Sequence, residues 1–310
     1  MERTILITGS NGMTGQKLIY ELLKHKDIRI IATSIGANRT REKNGYIYES
    51  LDITNQDEII KIFAKYKPDA VINTAAFTNV DGCEKDHESC DTLNVFAVDY
   101  LIKECKKHNT HLVHISTDFV FDGEDGPYKE TDIPNPISYY AESKYKAEVL
   151  LEQSSIKWTI IRTIIIYGVV DDMNRSNVVL WTKNALEKGQ TINVINDQYR
   201  SPTLAEDLAA ACVSAILKGA TGIYHVSGRE IYCILDIAYK IADFFGLDKT
   251  HINPISSESL KQPAKRPPRT GFIIDKAIKD LNYHPHSFEE GLQIVADQLK
   301  RNAELIASGK

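Results

Sequence analysis

Residues Thr4 to Gly15, TILITGSNGMTG, constrain this chain more than any other stretch. A short apolar run (Ile5, Leu6, Ile7) drives into Gly9, Gly12 and Gly15, then into a helical pattern carrying Leu18, Ile19, Leu22 and Leu23. This is strand, tight turn and helix. Glycines at that spacing let the backbone approach a pyrophosphate, and the free N–H groups of the helix start point at it where the helix dipole favours negative charge. The context is that of a dinucleotide-binding fingerprint, with one residue more between the first glycines than in G-x-G-x-x-G.

The strand-helix rhythm continues. Ile28 to Thr33 (IRIIAT) is a continuous apolar run of the buried parallel-strand type. An acidic residue near the end of such a strand selects NAD, whereas a nearby Arg receives the 2′-phosphate of NADP. Here Ser34, Gly36, Asn38, Arg39 and Arg41 follow with no acid, which leans towards NADP(H), with NAD(H) as the alternative. An ordinary solvated loop explains the two arginines almost as well. Tyr46 to Ser50 reads as a strand, a helix runs to Tyr66, Ala70 to Asn73 is a strand, a helix covers about Asp91 to Lys107, and His111 to Ile115 is buried strand. The pattern predicts an α/β fold, a Rossmann-type doubly wound parallel sheet with a smaller C-terminal α/β lobe, whose ligands sit at the carboxyl ends of the strands.

At those ends lie Thr74-Ala75-Ala76 and Ser116-Thr117-Asp118. Small residues leave room for a cofactor, and a hydroxyl at the second site can reach a reacting carbonyl. Further on, Tyr140 and Lys144 stand four residues apart in a helical stretch and so share a face. The ammonium is expected to lower the phenol pKa and make Tyr140 an acid near neutrality. Tyr139 has the wrong spacing. Y-x-x-x-K alone is common on solvated helices; with the glycine turn and the Ser116-Thr117 hydroxyls it becomes the stronger reading.

Composition narrows the alternatives. With 310 residues, 43% of them hydrophobic, and a net charge of -5, the chain is long enough for about two domains and offers no basic field for nucleic acid. No apolar run approaches the ~20 residues of a membrane span and no charged leader opens the chain, so no membrane contact and a cytoplasmic location are expected. Five cysteines (Cys83, Cys90, Cys105, Cys212, Cys233) include no C-x-x-C pair; buried or incidental thiols are expected, with no disulfide framework and no metal site.

At these residues the chain resembles the extended short-chain dehydrogenase/reductases: T-G-x-x-G-x-x-G matches Thr8 to Gly15 and Y-x-x-x-K matches Tyr140 to Lys144. Within them it is most similar to the dTDP-4-dehydrorhamnose reductase family, through NTAAFTNVDGCEKD (Asn73 to Asp86), Asn94, ISTDFVFDG (Ile115 to Gly123), YYAESKYKAE (Tyr139 to Glu148), VINDQYRSPT (Val194 to Thr203) and KRPPRTGF (Lys265 to Phe272). The resemblance implies hydride transfer to the C4 ketone of a nucleotide-linked sugar, in the making of dTDP-rhamnose for cell-surface polysaccharide. Thr117, Tyr140 and Lys144 would be catalytic, with Tyr140 as proton donor. Gly9, Asn11, Gly12, Met13 and Gly15 would line the pyrophosphate and Asp52 and Ile53 the adenine. Ala75, Ala76 and Thr78 would line the path to the ribose, and Asn94, Tyr140 and Lys144 would also serve the cofactor. Thr117, Asp118, Phe119, Ile165, Arg200 and Arg266 would face the substrate. Residues 1–168 would form the nucleotide domain with 190–228 packing back onto it, and 169–189 with 229–310 the substrate lobe. A small-molecule sugar nucleotide is the expected partner, and a homodimer is allowed.

Two departures bear on the substrate. Where the family usually reads R-T-S-W-V-Y, this chain reads Arg162-Thr163-Ile164-Ile165-Ile166-Tyr167, so an aliphatic replaces a pocket aromatic, and Arg200 stands where a small residue is frequent. Arg200, Lys265, Arg266 and Arg269 are candidate diphosphate contacts, although the prolines around them also suit an exposed loop. His225, on an apolar strand, reads as a satisfied core histidine, and Ser287 as a helix N-cap. Two other readings stand beside the reductase: a non-catalytic regulatory subunit like the beta subunit of methionine adenosyltransferase, and a related epimerase. Dehydratases place Asp-Glu after the Thr, whereas Asp118 and Phe119 follow here, which disfavours dehydration.

Overall fold

Ile5, Leu6 and Ile7 are fully buried at the centre of the molecule, because the strand they form is covered on both faces. The computed structural model describes residues 2–171 and 176–308. Residues 172–175, within the expected substrate segment 169–189, and residues 309–310 lie outside the described residues. The first half alternates β1 (Arg3–Thr8), α1 (Met13–Leu22), β2 (Ile28–Ser34), β3 (Ile47–Ser50), α2 (Gln56–Tyr66), β4 (Ala70–Asn73), α3 (Val80–Lys85), α4 (His87–Asp91), α5 (Ala97–His108), β5 (His111–Thr117), α6 (Tyr139–Gln153) and β6 (Trp158–Thr163). The second half holds β7 (Ile166–Tyr167), α7 (Val178–Glu187), β8 (Ile192–Ile195), β9 (Tyr199–Arg200), β10 (Thr203–Leu204), α8 (Ala205–Lys218), β11 (Gly222–Val226), β12 (Tyr232–Cys233), α9 (Ile234–Phe245), β13 (Ile252–Ile255), α10 (Asp275–Leu281) and α11 (Phe288–Ala307).

The main sheet has seven strands in the order β11-β6-β5-β4-β1-β2-β3, and every pairing in it is parallel. Chain order reverses between β1 and β4, which opens a crevice at their carboxyl ends. One face is packed by α1 and α8 through Leu18, Ile19, Leu22, Leu208 and Cys212. The other is packed by α2, α5 and α6 through Ile59, Phe63, Leu101 and Ala147. The fold class is the α/β doubly wound sheet that the strand-helix rhythm predicts. Register brings Thr8 opposite Asn73, Asn73 opposite His114, and Thr117 opposite Thr163, so polar residues gather at one end of the sheet.

Outside the sheet, α7, α9 and α11 share a separate core through Val179, Leu180, Ile237, Ile241 and Leu292. Within residues 190–228, β8 pairs with β13 beside that core, while α8 and β11 join the main sheet. His225 is fully buried on β11, with Nδ1 3.0 Å from the Tyr128 carbonyl and its ring stacked on Phe272. Ser287 and Glu290 form a reciprocal capping pair at the start of α11. Among the described residues no helix is long and apolar enough to cross a membrane.

Two expectations are corrected. The helix expected over Asp91 to Lys107 is interrupted by a π turn, Thr92–Phe96, where the Asn94 side chain is held by groups outside the helix. Cys83 and Cys90 are not free thiols but a disulfide: α3 and α4 fold back on each other and bring their Cα atoms to 5.3 Å. Seven residues of separation across a helix break carry no sequence signature. Cys105, Cys212 and Cys233 are free and buried.

Beneath the site, Arg162 of β6 and Glu148 of α6 form a fully buried ion pair with Nη2 to Oε2 at 2.6 Å and Nε to Oε1 at 3.0 Å. Removing one partner strands the other charge in the core. Arg162→Met is expected to lower unfolding free energy by about 3–5 kcal/mol in a urea titration, and the double variant Arg162→Met/Glu148→Leu to regain most of it.

Candidate active site

Two positions of the glycine turn admit no side chain. Gly9 has φ +69°, and a Cβ there would lie 2.7 Å from the Ala75 backbone nitrogen; one on Gly15 would lie 2.4 Å from the Gly9 carbonyl oxygen. Gly12 precedes α1 with no side-chain cap, and its N–H donates back to Gly9 O at 2.9 Å. The first-turn N–H groups of α1 therefore remain for an anion. Among the described residues the buried hydroxyls of Ser10 and Ser116 also have no partner. A cleft of about 640 Å3 runs from Gly12, Met13 and Thr14 past Ala76 and Thr78 to Thr117, Tyr140 and Lys144. A close-approach turn, open helix N–H groups and hydroxyls awaiting partners fit a dinucleotide.

On the adenosine side, the Asn11 side chain donates to Ala37 O at 2.9 Å and accepts from the Arg39 N–H at 2.8 Å, which fixes the loop after β2. Arg39 is exposed there, close enough to act electrostatically on Tyr48. Arg41 turns away: its backbone N–H is 2.6 Å from Asp171 and its guanidinium 2.8 Å from Asn302 of α11. The Asp52 carboxylate accepts from the Thr54 N–H and hydroxyl at 2.9 and 2.7 Å, and Ile53 packs into the core. Ala75 lies against Gly9. Asn94 does not line the cleft. Its side chain accepts from Phe77 N at 2.8 Å and donates to Phe77 O at 3.1 Å and Ser143 Oγ at 2.9 Å. It thus braces the loop after β4 against α6 from behind.

Ser138 caps α6 by accepting from the Ala141 N–H at 3.4 Å, which places Tyr140 in the first turn and Lys144 one turn later on the same face. The Tyr140 phenol and the Thr117 hydroxyl at the end of β5 face the same cleft, close enough for the hydroxyl to act on the phenol. The Phe119 ring stands edge-on to Tyr140 at 6.1 Å. The expected acidification of Tyr140 by Lys144 is not what the geometry produces. Burial, with the Asp118 charge adding to it, pushes the phenol up to about 12, and the Thr117 hydroxyl offsets this only in part. The reason is the direction of the ammonium: Lys144 Nζ donates to Ile115 O at 2.7 Å and meets His114 Nε2 at 3.1 Å. Burial pulls Lys144 itself down to about 8.

Asp118, next in the chain, is buried among the Thr117 hydroxyl at 3.1 Å, the Thr270 hydroxyl and the Arg200 guanidinium at 3.7 Å. Burial raises its carboxyl above the usual range despite those partners. Arg200 is 3% exposed, with guanidinium N–H groups 2.7 Å from both the Tyr199 and Pro267 carbonyls and its plane 5.4 Å from the Phe119 ring. It faces the cleft while its donors brace the 267–268 loop. Arg266 also borders the cleft and is paired with Asp81 at 2.8 Å. Arg269 lies over the Tyr199 ring. Ile165 lines the cleft with φ 30°, a left-handed conformation that is strained for a β-branched residue.

The residue reading missed Thr8, Asn73, His114 and Thr270. Thr8 and Asn73 end strands exactly as small polar residues do in any such sheet, and His114 carried one signal, a polar residue inside the apolar run HLVHI. Among the described residues no group of three or more His, Cys, Asp or Glu is arranged to hold a metal ion.

Residues 3–301 match the family model described as the RmlD substrate binding domain. The chain is 31% identical over 301 residues to the dTDP-4-dehydrorhamnose reductase of Aggregatibacter actinomycetemcomitans, covering 93% of this chain and 97% of that protein. It is 29% identical to methionine adenosyltransferase 2 subunit beta of Bos taurus, covering 86% of this chain and 78% of that one. The solved dTDP-4-dehydrorhamnose reductase of Bacillus anthracis in complex with NADP superposes with a TM-score of 0.82 at 27% identity, covering 96% of this chain and all of that one. With a glycine turn, a Thr-Tyr-Lys group and a family match along almost the whole length, the chain belongs to the dTDP-4-dehydrorhamnose reductase family.

Proposed function

We propose that this chain is an NADPH-dependent reductase of the 4-keto group of a nucleotide-linked deoxysugar, with dTDP-4-dehydrorhamnose as substrate and dTDP-rhamnose as product. The observation that carries the reading is the convergence of Thr117, Tyr140 and Lys144 in the cleft that begins at the glycine turn. NADP in a solved relative and the absence of an acid after β2 favour NADPH, with Arg39 as the 2′-phosphate contact and NADH as the alternative. Gly9, Asn11, Gly12, Met13 and Gly15 would hold the pyrophosphate, Asp52 and Ile53 the adenine edge, and Ala75, Ala76 and Thr78 the ribose side. When bound, the reduced nicotinamide supplies the hydride.

The chain's own residues supply the rest. Tyr140 would present a hydroxyl donor to the carbonyl oxygen, and the Thr117 hydroxyl, which donates to Asp118 Oδ1, would become a second by turning its proton towards that oxygen, so charge developing there meets donors close at hand. Tyr140, raised to about 12, stays protonated throughout the neutral range and is available as the acid. Lys144 keeps one N–H for the cofactor ribose after its bonds to β5. Phe119, Ile165 and the aliphatic wall of Val178, Ile195 and Ile234 exclude water around the sugar. Arg266, released from Asp81, and Arg200 would meet the diphosphate. Residues 1–168 with α8 and β11 would carry the cofactor and the segments 169–189 and 229–310 the sugar nucleotide. We place the protein in the cytoplasm, feeding cell-surface polysaccharide synthesis.

One observation favours a second reading, a non-catalytic NADP-binding subunit: the likeness to methionine adenosyltransferase 2 subunit beta, together with Ile165 in place of a pocket aromatic. It requires a stoichiometric complex with a methionine adenosyltransferase in a pull-down and no NADPH oxidation with the sugar nucleotide.

NADPH oxidation with dTDP-4-dehydrorhamnose is the direct test. Tyr140→Phe is expected to lower kcat by roughly 10²-fold or more at little change in NADPH affinity, and full turnover by that variant would remove Tyr140 from the chemistry. The pH dependence follows from Lys144. Its ammonium persists below about 8 and is lost above, whereas Tyr140 keeps its proton, so kcat/KM is expected to fall through a single ionisation near pH 8. A profile flat to pH 10 would show that turnover does not depend on the Lys144 charge. The same depression acts on stability: burying the ammonium opposes folding at neutral pH, and that penalty is relieved as pH rises from about 8 towards the unfolded value of about 10.4.

A further inference from the structure

Thr8 of β1, Asn73 of β4 and His114 of β5 stand side by side across the sheet and end at Lys144 of α6. All four side chains are enclosed, none more than 2% exposed. Thr8 Oγ1 donates to Asn73 Oδ1 at 2.5 Å, Asn73 Nδ2 lies 3.0 Å from His114 Nδ1, and His114 Nε2 lies 3.1 Å from Lys144 Nζ. Lys144 is the charge acting on His114, and together with burial it keeps the imidazole neutral. Glu148, bound to Arg162, is the charge acting on Lys144.

Counting protons makes this chain informative. A neutral imidazole has one N–H and one acceptor nitrogen, yet an amide NH2 and an ammonium here approach one nitrogen each. Two arrangements pair every contact in the row, because a neutral amine that donated to Nε2 would leave its own lone pair without a donor. In the first, Lys144 is an ammonium donating to Nε2, Nδ1 carries the hydrogen, and the Asn73 amide is turned so that its oxygen faces Nδ1 and its NH2 faces Thr8. In the second, Asn73 NH2 donates to Nδ1, Nε2 carries the hydrogen, and Lys144 accepts it as a neutral amine. Amide oxygen and nitrogen exchange places with no change of shape, and the Thr8 hydroxyl rotates to suit either.

We propose that His114 is a positioning residue whose tautomer, locked to the orientation of the Asn73 amide, determines whether Lys144 is held as an ammonium or as an amine. Passing from the first arrangement to the second releases one proton from the Lys144–His114 pair to solvent through the cleft, moves the imidazole N–H from Nδ1 to Nε2 and flips the amide; no electrons move. The significance for turnover rests on the reductase reading, in which the Lys144 ammonium holds the cofactor ribose. The buried polar row is then a charge-setting device reaching back to the strand that leads into the glycine turn.

The decisive experiment needs no substrate. In the full chain labelled with 15N-histidine, with the His114 resonances assigned through His114→Gln, nitrogen shifts recorded from pH 6 to 10 are expected to show the Nδ1–H tautomer at low pH. The Nε2–H tautomer should replace it around the Lys144 midpoint near 8. A single tautomer throughout, or an imidazolium, would overturn the proposal. The kinetic arm follows NADPH oxidation with the sugar nucleotide. His114→Leu removes an acceptor of the ammonium and is expected to move the alkaline limb about one unit to lower pH, roughly a fivefold loss in kcat/KM at pH 8 that approaches tenfold at higher pH. His114→Gln, whose amide oxygen can accept from Lys144, restores its position. Equal loss at every pH, or Gln behaving as Leu does, would leave His114 a packing residue. Absence of turnover in the unaltered chain would sink the reductase reading alone, since the nitrogen shifts stand without it.

Discussion

A parallel sheet covered on both faces leaves water no route to its middle, and every polar group that ends there must be satisfied by another. That constraint shapes the site. The hydroxyl and amide at the carboxyl ends of β1 and β4, the imidazole in the middle of β5 and the ammonium near the start of α6 are bonded to one another because the sheet and its helices enclose them. Desolvation then moves Tyr140 up and Lys144 down, apart from each other in basicity and each towards its neutral form. The disposition suits a phenol that gives up a proton only when a stronger base appears in front of it.

Most of the sheet was legible in the sequence because buried parallel strands must be apolar without interruption. Ile5 to Ile7, Ile28 to Thr33 and Ala70 to Asn73 appear as strands with bounds within a residue or two of the pattern. Tyr140 and Lys144 were legible through helical spacing, and Gly9 and Gly15 through a packing demand that no side chain can meet. What stayed hidden depends on distance rather than on pattern. Asn94 could be picked out but not placed, since its partners lie on the loop after β4 and on α6. The direction of the Lys144 ammonium hid in the same way: spacing puts it on the face of Tyr140, whereas the Ile115 carbonyl decides where its protons go.

Charge on the substrate side was read from the residue types at Arg200, Lys265, Arg266 and Arg269, and the structure divides it. Arg200, conspicuous as a guanidinium in an expected binding block, spends its donors on the Tyr199 and Pro267 carbonyls. Arg266 is held by one carboxylate at the cleft border, where a diphosphate can compete for it. The two arginines therefore differ in what they can release. Arg200 offers an anion in the cleft a fixed charge, and Arg266 a hinged contact.

Ile165 stands apart from all of these. Its left-handed backbone is clamped where the Thr203 hydroxyl donates to the Ile164 carbonyl at 2.6 Å and the Thr203 N–H to the Ile165 carbonyl at 3.4 Å. The scaffold, not the side chain, dictates the shape of that corner. A different side chain at this one position would therefore recontour the cleft wall while the backbone keeps Thr117, Tyr140 and Lys144 where they stand.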